Sequence, residues 1–200
     1  GKDTYRIQSN LPLAAREKVV KSLGSRGHDA GVVVLRGGAD AVRNDTDHEL
    51  VFRQESYFQY LFGVTEPDCY GMIELPSGRS TLFVPWLAPE YAVWMGKIKP
   101  LSDFKARYRV DACEYTRNVA EALRLALRED PEDSGHKKIY VLAGVNTDSG
   151  LDLSKVLPLT SEAEGGVIPE PFLSKVDRTS LYELVADCRA TKSADEIDLM

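Results

Sequence analysis

Residues able to do chemistry are present in this chain, but few of them share a useful spacing. Asn44 to Glu49 (NDTDHE) brings carboxylates and an imidazole close together. A divalent cation is the sharp reading of that run. Its spacing matches no Ca²⁺ loop, however, and no apolar neighbours would fix the ligands, so a solvated loop is expected. Arg36-Gly37-Gly38-Ala39-Asp40 suggests a phosphate cradle but lacks the G-x-G-x-x-G spacing and a helix directly behind it, which leaves a strand-ending turn. Asp148 and Ser149 are followed by no base and sit in no G-x-S-x-G elbow, so they form no hydrolase pair. His28 and His136 are isolated beside polar residues and receive no role. Tyr91, Trp94 and Met95 share one face at i, i+3 and i+4 of a short helix between Pro89 and Gly96. That face is either core, or an interface or lid over a ligand.

The totals narrow the function classes. A chain of 200 residues with 43% hydrophobic and 28% charged residues can build one good core, or one domain plus the entry to a second. A formal charge of -6 and a pI near 5.2 argue against a sequence-independent nucleic-acid binder, whose phosphate contacts need a basic face. Cys69, Cys113 and Cys188 are far apart and odd in number. They read as reduced, mostly buried thiols, and so point to a cytoplasmic protein. No apolar run is long enough to span a membrane.

The elements that would position these residues follow from periodicity. Asn10 can cap a helix with Pro12 in its first turn, with Leu13, Val20 and Leu23 on one face and Gly24 as its stop. Gly31 to Leu35 and Ile139 to Leu142 are β-branched or apolar runs of the kind found in strands covered on both faces. Gln54 to Phe62 is a largely buried helix ended by Gly63. Tyr70–Leu75, a turn through Arg79, and Ser80–Val84 form a hairpin that adds antiparallel pairing. Leu101–Tyr108 is helical, Arg109–Cys113 extended, and Thr116 can cap a helix with Val119, Leu123, Ala126 and Leu127 as its stripe. Gly144 to Gly150 is turn chemistry, and the segment through Pro171 is loop-rich. Capping boxes at Ser180/Glu183 and Ser193/Glu196 open two final helices. The second has run about two turns at Met200 without a C-cap, so the native chain is expected to continue. The expectation is a mixed α/β sheet.

The wording of several stretches adds a family resemblance. FRQESYF (52–58), FGVTEP (62–67), CYG (69–71), STLFVP (80–85), WMGKI (94–98) and GVNTDSG (144–150), with Cys188, Arg189, Lys192 and Glu196 near the end, resemble in order the amino-terminal domain of eukaryotic-type prolidases. These are Xaa-Pro dipeptidases related to aminopeptidase P and creatinase. The resemblance implies a sheet of about six strands, parallel plus antiparallel, with helices on both faces. Residues 1–186 would form this non-catalytic domain, and 187–200 the linker and first helix of a pita-bread catalytic domain.

Such an enzyme hydrolyses dipeptides ending in proline with two divalent metal ions, Mn²⁺ being usual, and all its metal ligands lie in the second domain. The resemblance therefore implies no catalytic or metal-binding residue in this chain, no cofactor bound by it, and no activity of these residues alone. Its implied partners are its own catalytic domain, a second copy in a homodimer, and the dipeptide. Trp94 is the one substrate-facing residue implied, supplied in trans to the partner's active site. Its competing reading is a tryptophan packed inside its own domain. A binding or scaffold module that has lost peptidase activity is the alternative function.

Overall fold

The computed structural model describes residues 10–128, 136–156, 159–162 and 166–200. Among them the order is α1 (Asn10–Ser25), β1 (Gly31–Arg36), α2 (Ser56–Phe62), β2 (Tyr70–Leu75), β3 (Ser80–Val84), α3 (Ala92–Met95), α4 (Leu101–Tyr108), β4 (Ala112–Tyr115), α5 (Val119–Ala126), β5 (Lys138–Val141), α6 (Leu153–Val156), β6 (Val176–Asp177), α7 (Leu181–Ala190) and α8 (Ala194–Leu199). The described strands form one six-stranded sheet in the order β4-β3-β2-β1-β5-β6. Only β2 runs antiparallel to its neighbours. The mixed sheet expected from sequence is present, with β6 as an added two-residue edge.

Side-chain alternation along the central strands divides the core between the two faces of the sheet. Val33 and Leu35 of β1, Ile73 of β2, Leu82 of β3 and Tyr140 of β5 pack with α1, α2 and α7. Val32, Val34, Met72, Phe83, Ile139 and Val141 face the other way, toward Val119 and Leu123 of α5. Helices thus cover both faces. Gly31, at φ +116, permits the close approach of β1 and β5, because a Cβ there would stand 2.0 Å from the Lys138 carbonyl oxygen.

Several local expectations are corrected. Asn10 lies in the first turn of α1 and its amide donates to Asp195. Gly24 sits within the helix, whose buried residues are Pro12, Ala15, Arg16, Val19 and Leu23; Leu13 and Val20 are half-buried. The N-cap of α2 is Glu55, whose carboxylate accepts from the Tyr57 and Phe58 amides, and Gly63 closes the helix in the left-handed region. Extended structure starts at Ala112, since Arg109 takes a left-handed C-cap at φ 50. Thr116 makes no side-chain cap; it opens a 3₁₀ turn ahead of α5. Ser180 makes no capping box either, whereas Ser193 and Glu196 do. No described helix is long and apolar enough to cross a membrane.

Candidate functional site

Strands β1, β3, β4 and β5 end on one edge of the sheet, where β2 begins. Ligands of open α/β sheets gather at the carboxyl ends of strands. From that edge β3 feeds an arm, residues 85–99, before the chain returns in α4. The arm consists of a 3₁₀ turn at Pro89–Tyr91 and the single turn of α3, and neither contains a buried residue. Gly96, at φ 74 and ψ -163, ends α3 behind Met95 in a conformation that favours glycine.

The i, i+3, i+4 face on this arm is not core. Trp94 is 83% exposed, with Tyr91, Val93 and Met95 also exposed around it. The reading of Trp94 as a residue packed within its own domain is therefore overturned. An isolated rigid aromatic presented with an apolar rim is the geometry of a recognition element. Under the arm lies a cavity of about 180 Å³ lined by Val84, Leu87, Met95, Phe104 and Tyr115, with Glu66 on its polar side.

Glu66 collects several donors from separate parts of the chain. One carboxylate oxygen faces Lys99 Nζ at 3.4 Å and Arg107 Nη1 at 3.5 Å. The other accepts a short hydrogen bond from the Tyr108 hydroxyl, itself approached by the Thr65 amide at 3.3 Å. Burial, with added help from the bond to Glu66, pushes Tyr108 up to about 12, so its proton stays on oxygen as the donor. Lys99 also lies 5.8 Å from the Phe104 ring centroid. Sequence spacing gave no sign of this cluster, because Glu66, Lys99 and Tyr108 come from three distant segments.

The other sequence candidates form no site. Residues 44–49 make an exposed turn between the bridged Val42 and Glu49, with Thr46 Oγ1 donating to the Arg43 carbonyl. Gly37 and Gly38 end β1 and donate to the Cys69 carbonyl and to Gln54 Oε1. The Asn146 side-chain oxygen accepts from the amides of Asp148 and Ser149, which makes that segment a local turn. His28 meets the Tyr140 ring edge-on at 5.4 Å and shares a shallow cavity with His136. Among the described residues no group of three or more His, Cys, Asp or Glu could hold a metal ion. All three cysteines are free; burial pushes the Cys69 thiol up and Cys113 to about 11, so neither is a ready nucleophile.

Comparison with known proteins matches residues 14–133 to the family described as aminopeptidase P, N-terminal domain. Two similar proteins are the Xaa-Pro dipeptidases of Pongo abelii and Homo sapiens, each 36% identical over 202 aligned positions. The alignments cover 100% of this chain and 37% of each relative, so the chain spans little more than a third of their length. Among solved structures, Pseudomonas aeruginosa aminopeptidase PepP superposes with a TM-score of 0.67 over 98% of this chain and 41% of that one. At 21% identity it supports the fold alone.

Proposed function

This chain belongs to the aminopeptidase P N-terminal-domain family, and from that membership we propose that it is the non-catalytic domain of a metal-dependent Xaa-Pro dipeptidase. In this reading the longer protein is a cytoplasmic homodimer that cleaves dipeptides ending in proline. Its two divalent metal ions, Mn²⁺ in our proposal, are held by a second domain and would polarise the scissile carbonyl and activate water. The described residues of this chain offer no cluster that fits such a metal, and no step of hydrolysis is routed through them. Their work is to hold the dimer together and to close the partner's active site.

The domain would occupy residues 1–186, with 187–200 leading to the catalytic domain. Helix α7 crosses that proposed line, with Cys188 still buried in the core.

The observation that carries this reading is the exposed Trp94 on an arm that its own core does not cover. An indole face suits a pyrrolidine ring, excludes water and adds no charge. Trp94→Ala in the full-length dimer should lower kcat/KM for Xaa-Pro dipeptides by about tenfold or more, the loss expected when an aromatic wall worth over 1.4 kcal/mol is removed. The melting temperature and dimer mass should stay the same. Unchanged kinetics in a dimeric variant would remove Trp94 from the active site.

A further inference from the structure

From the geometry under the arm we infer that Glu66 is a positioning residue, which aims Trp94 by holding Lys99 at the foot of the arm. The inference rests on the proposed reading of Trp94 and concerns how its position is set. Residues of the 3₁₀ turn and α3 are unburied, and these elements carry no side-chain caps. Hydrophobic burial therefore does not fix them. Among the described residues, the Lys99–Glu66 contact is the sole side-chain hydrogen bond joining residues 85–99 to the rest of the domain. The cavity beneath Met95 and Leu87 leaves room for the arm to move inward. The two ends of the arm are half-buried at Pro85, Leu87, Ala88 and Ile98, but the exposed turn between them that carries Trp94 is held to the domain by one side-chain hydrogen bond and takes its orientation from the foot that this bond fixes.

Glu66 is suited to the task because it is itself held. It follows the left-handed cap at Gly63, and the Asp68 amide two residues on donates to the Gly38 carbonyl at the end of β1. Tyr108 and Arg107, both at the end of α4, restrain the carboxylate from the other side. Anchors on the β1 end and on α4 therefore meet at one carboxylate, and Lys99 extends that frame to the arm. Charge-assisted donors converging on one partly buried group restrict it more than an isolated surface pair would be restricted.

The chain supplies its own probe. Both tryptophans, Trp86 and Trp94, lie on the arm, so all tryptophan fluorescence reports arm motion. Lys99→Met removes the tether and leaves the contacts of Glu66 with Tyr108 and Arg107. Glu66→Gln weakens all of them, and Lys99→Arg restores a donor.

In the 200-residue chain, Lys99→Met and Glu66→Gln should lower tryptophan anisotropy and raise acrylamide quenching, with Lys99→Arg close to wild type. In the full-length dimer the same two variants should raise KM for Xaa-Pro dipeptides by up to about fivefold, the limit set by a tether of this exposure, with kcat little changed. The melting temperature of Lys99→Met should match wild type, which a purely structural role would not predict. Normal anisotropy and normal KM in Lys99→Met, while Trp94→Ala impairs turnover, would overturn the positioning role alone. Normal turnover in Trp94→Ala would overturn the Trp94 reading and this inference together.

Discussion

Arg16 shows what a single side chain contributes to the frame behind the arm. It is buried on α1 with Nη1 donating to the Leu61 carbonyl at 2.8 Å and Nη2 to the Arg109 carbonyl at 2.6 Å; its Nε has no hydrogen-bond partner. Those carbonyls belong to the last turn of α2 and the C-cap of α4, so one guanidinium caps two helix ends whose dipoles favour a cation. Burial lowers its pKa to about 10, partly offset by Asp111, and it remains charged at neutral pH. The sign follows: with the folded value below the unfolded one, burying this charge costs stability below about pH 10, and that cost is relieved above it. The carbonyl bonds must outweigh the cost, since losing a partner leaves two buried acceptors at about 1–3 kcal/mol each. Arg16→Met should therefore destabilise the domain by about 2–3 kcal/mol in urea unfolding at pH 7. An unchanged midpoint would show that water satisfies both carbonyls. Sequence could not reveal this residue, because an arginine among Glu17, Lys18 and Lys21 reads as part of a solvated face.

At the scale of elements, Asp177 joins β6 to α7. Its carboxylate accepts from the Thr179 and Ser180 amides, from both of their hydroxyls, and from Lys138 Nζ at 3.3 Å. Burial pushes its pKa up, but the bonds from Thr179 and Ser180 outweigh that and hold it well below the ordinary carboxylate range. A depressed carboxylate contributes stability above its unfolded value, about pH 4, and loses it as pH falls further. Asp177→Asn should thus cost about 1–2 kcal/mol at pH 7, with the gap between variant and wild type narrowing below about pH 4. Urea midpoints at both pH values decide it; a gap constant with pH would mean that charge plays no part. The S-x-x-E spacing suggests a Ser180/Glu183 box that does not form, while β6 is too short to announce the aspartate turn at its end. The hairpin, β1, β5, α2 and the stripe of α5 were legible, since long runs and turn residues agree on them. The setting of α3 was not, because an apolar i, i+3, i+4 face looks the same whether the covering surface is the same domain or another molecule.

For the whole molecule, the question is what covers the arm. A folded domain rarely leaves a tryptophan, a tyrosine, a valine and a methionine exposed together unless something docks there. A partner subunit in the proposed homodimer would bury them, and protease access can measure that burial. Chymotrypsin at Trp94–Met95 and trypsin at Lys97–Ile98 are the informative cuts, because Lys99 is followed by Pro100 and resists trypsin. In the full-length protein, cleavage at both bonds should slow as concentration rises through the dimer range, since association removes the open monomer by mass action. Tethering alone would slow cleavage equally at every concentration, so the concentration dependence separates a partner's cover from the hold of Glu66. Cleavage rates that ignore concentration while light scattering records dimer formation would place the dimer contact elsewhere, and Trp94 would then face solvent in the assembled protein.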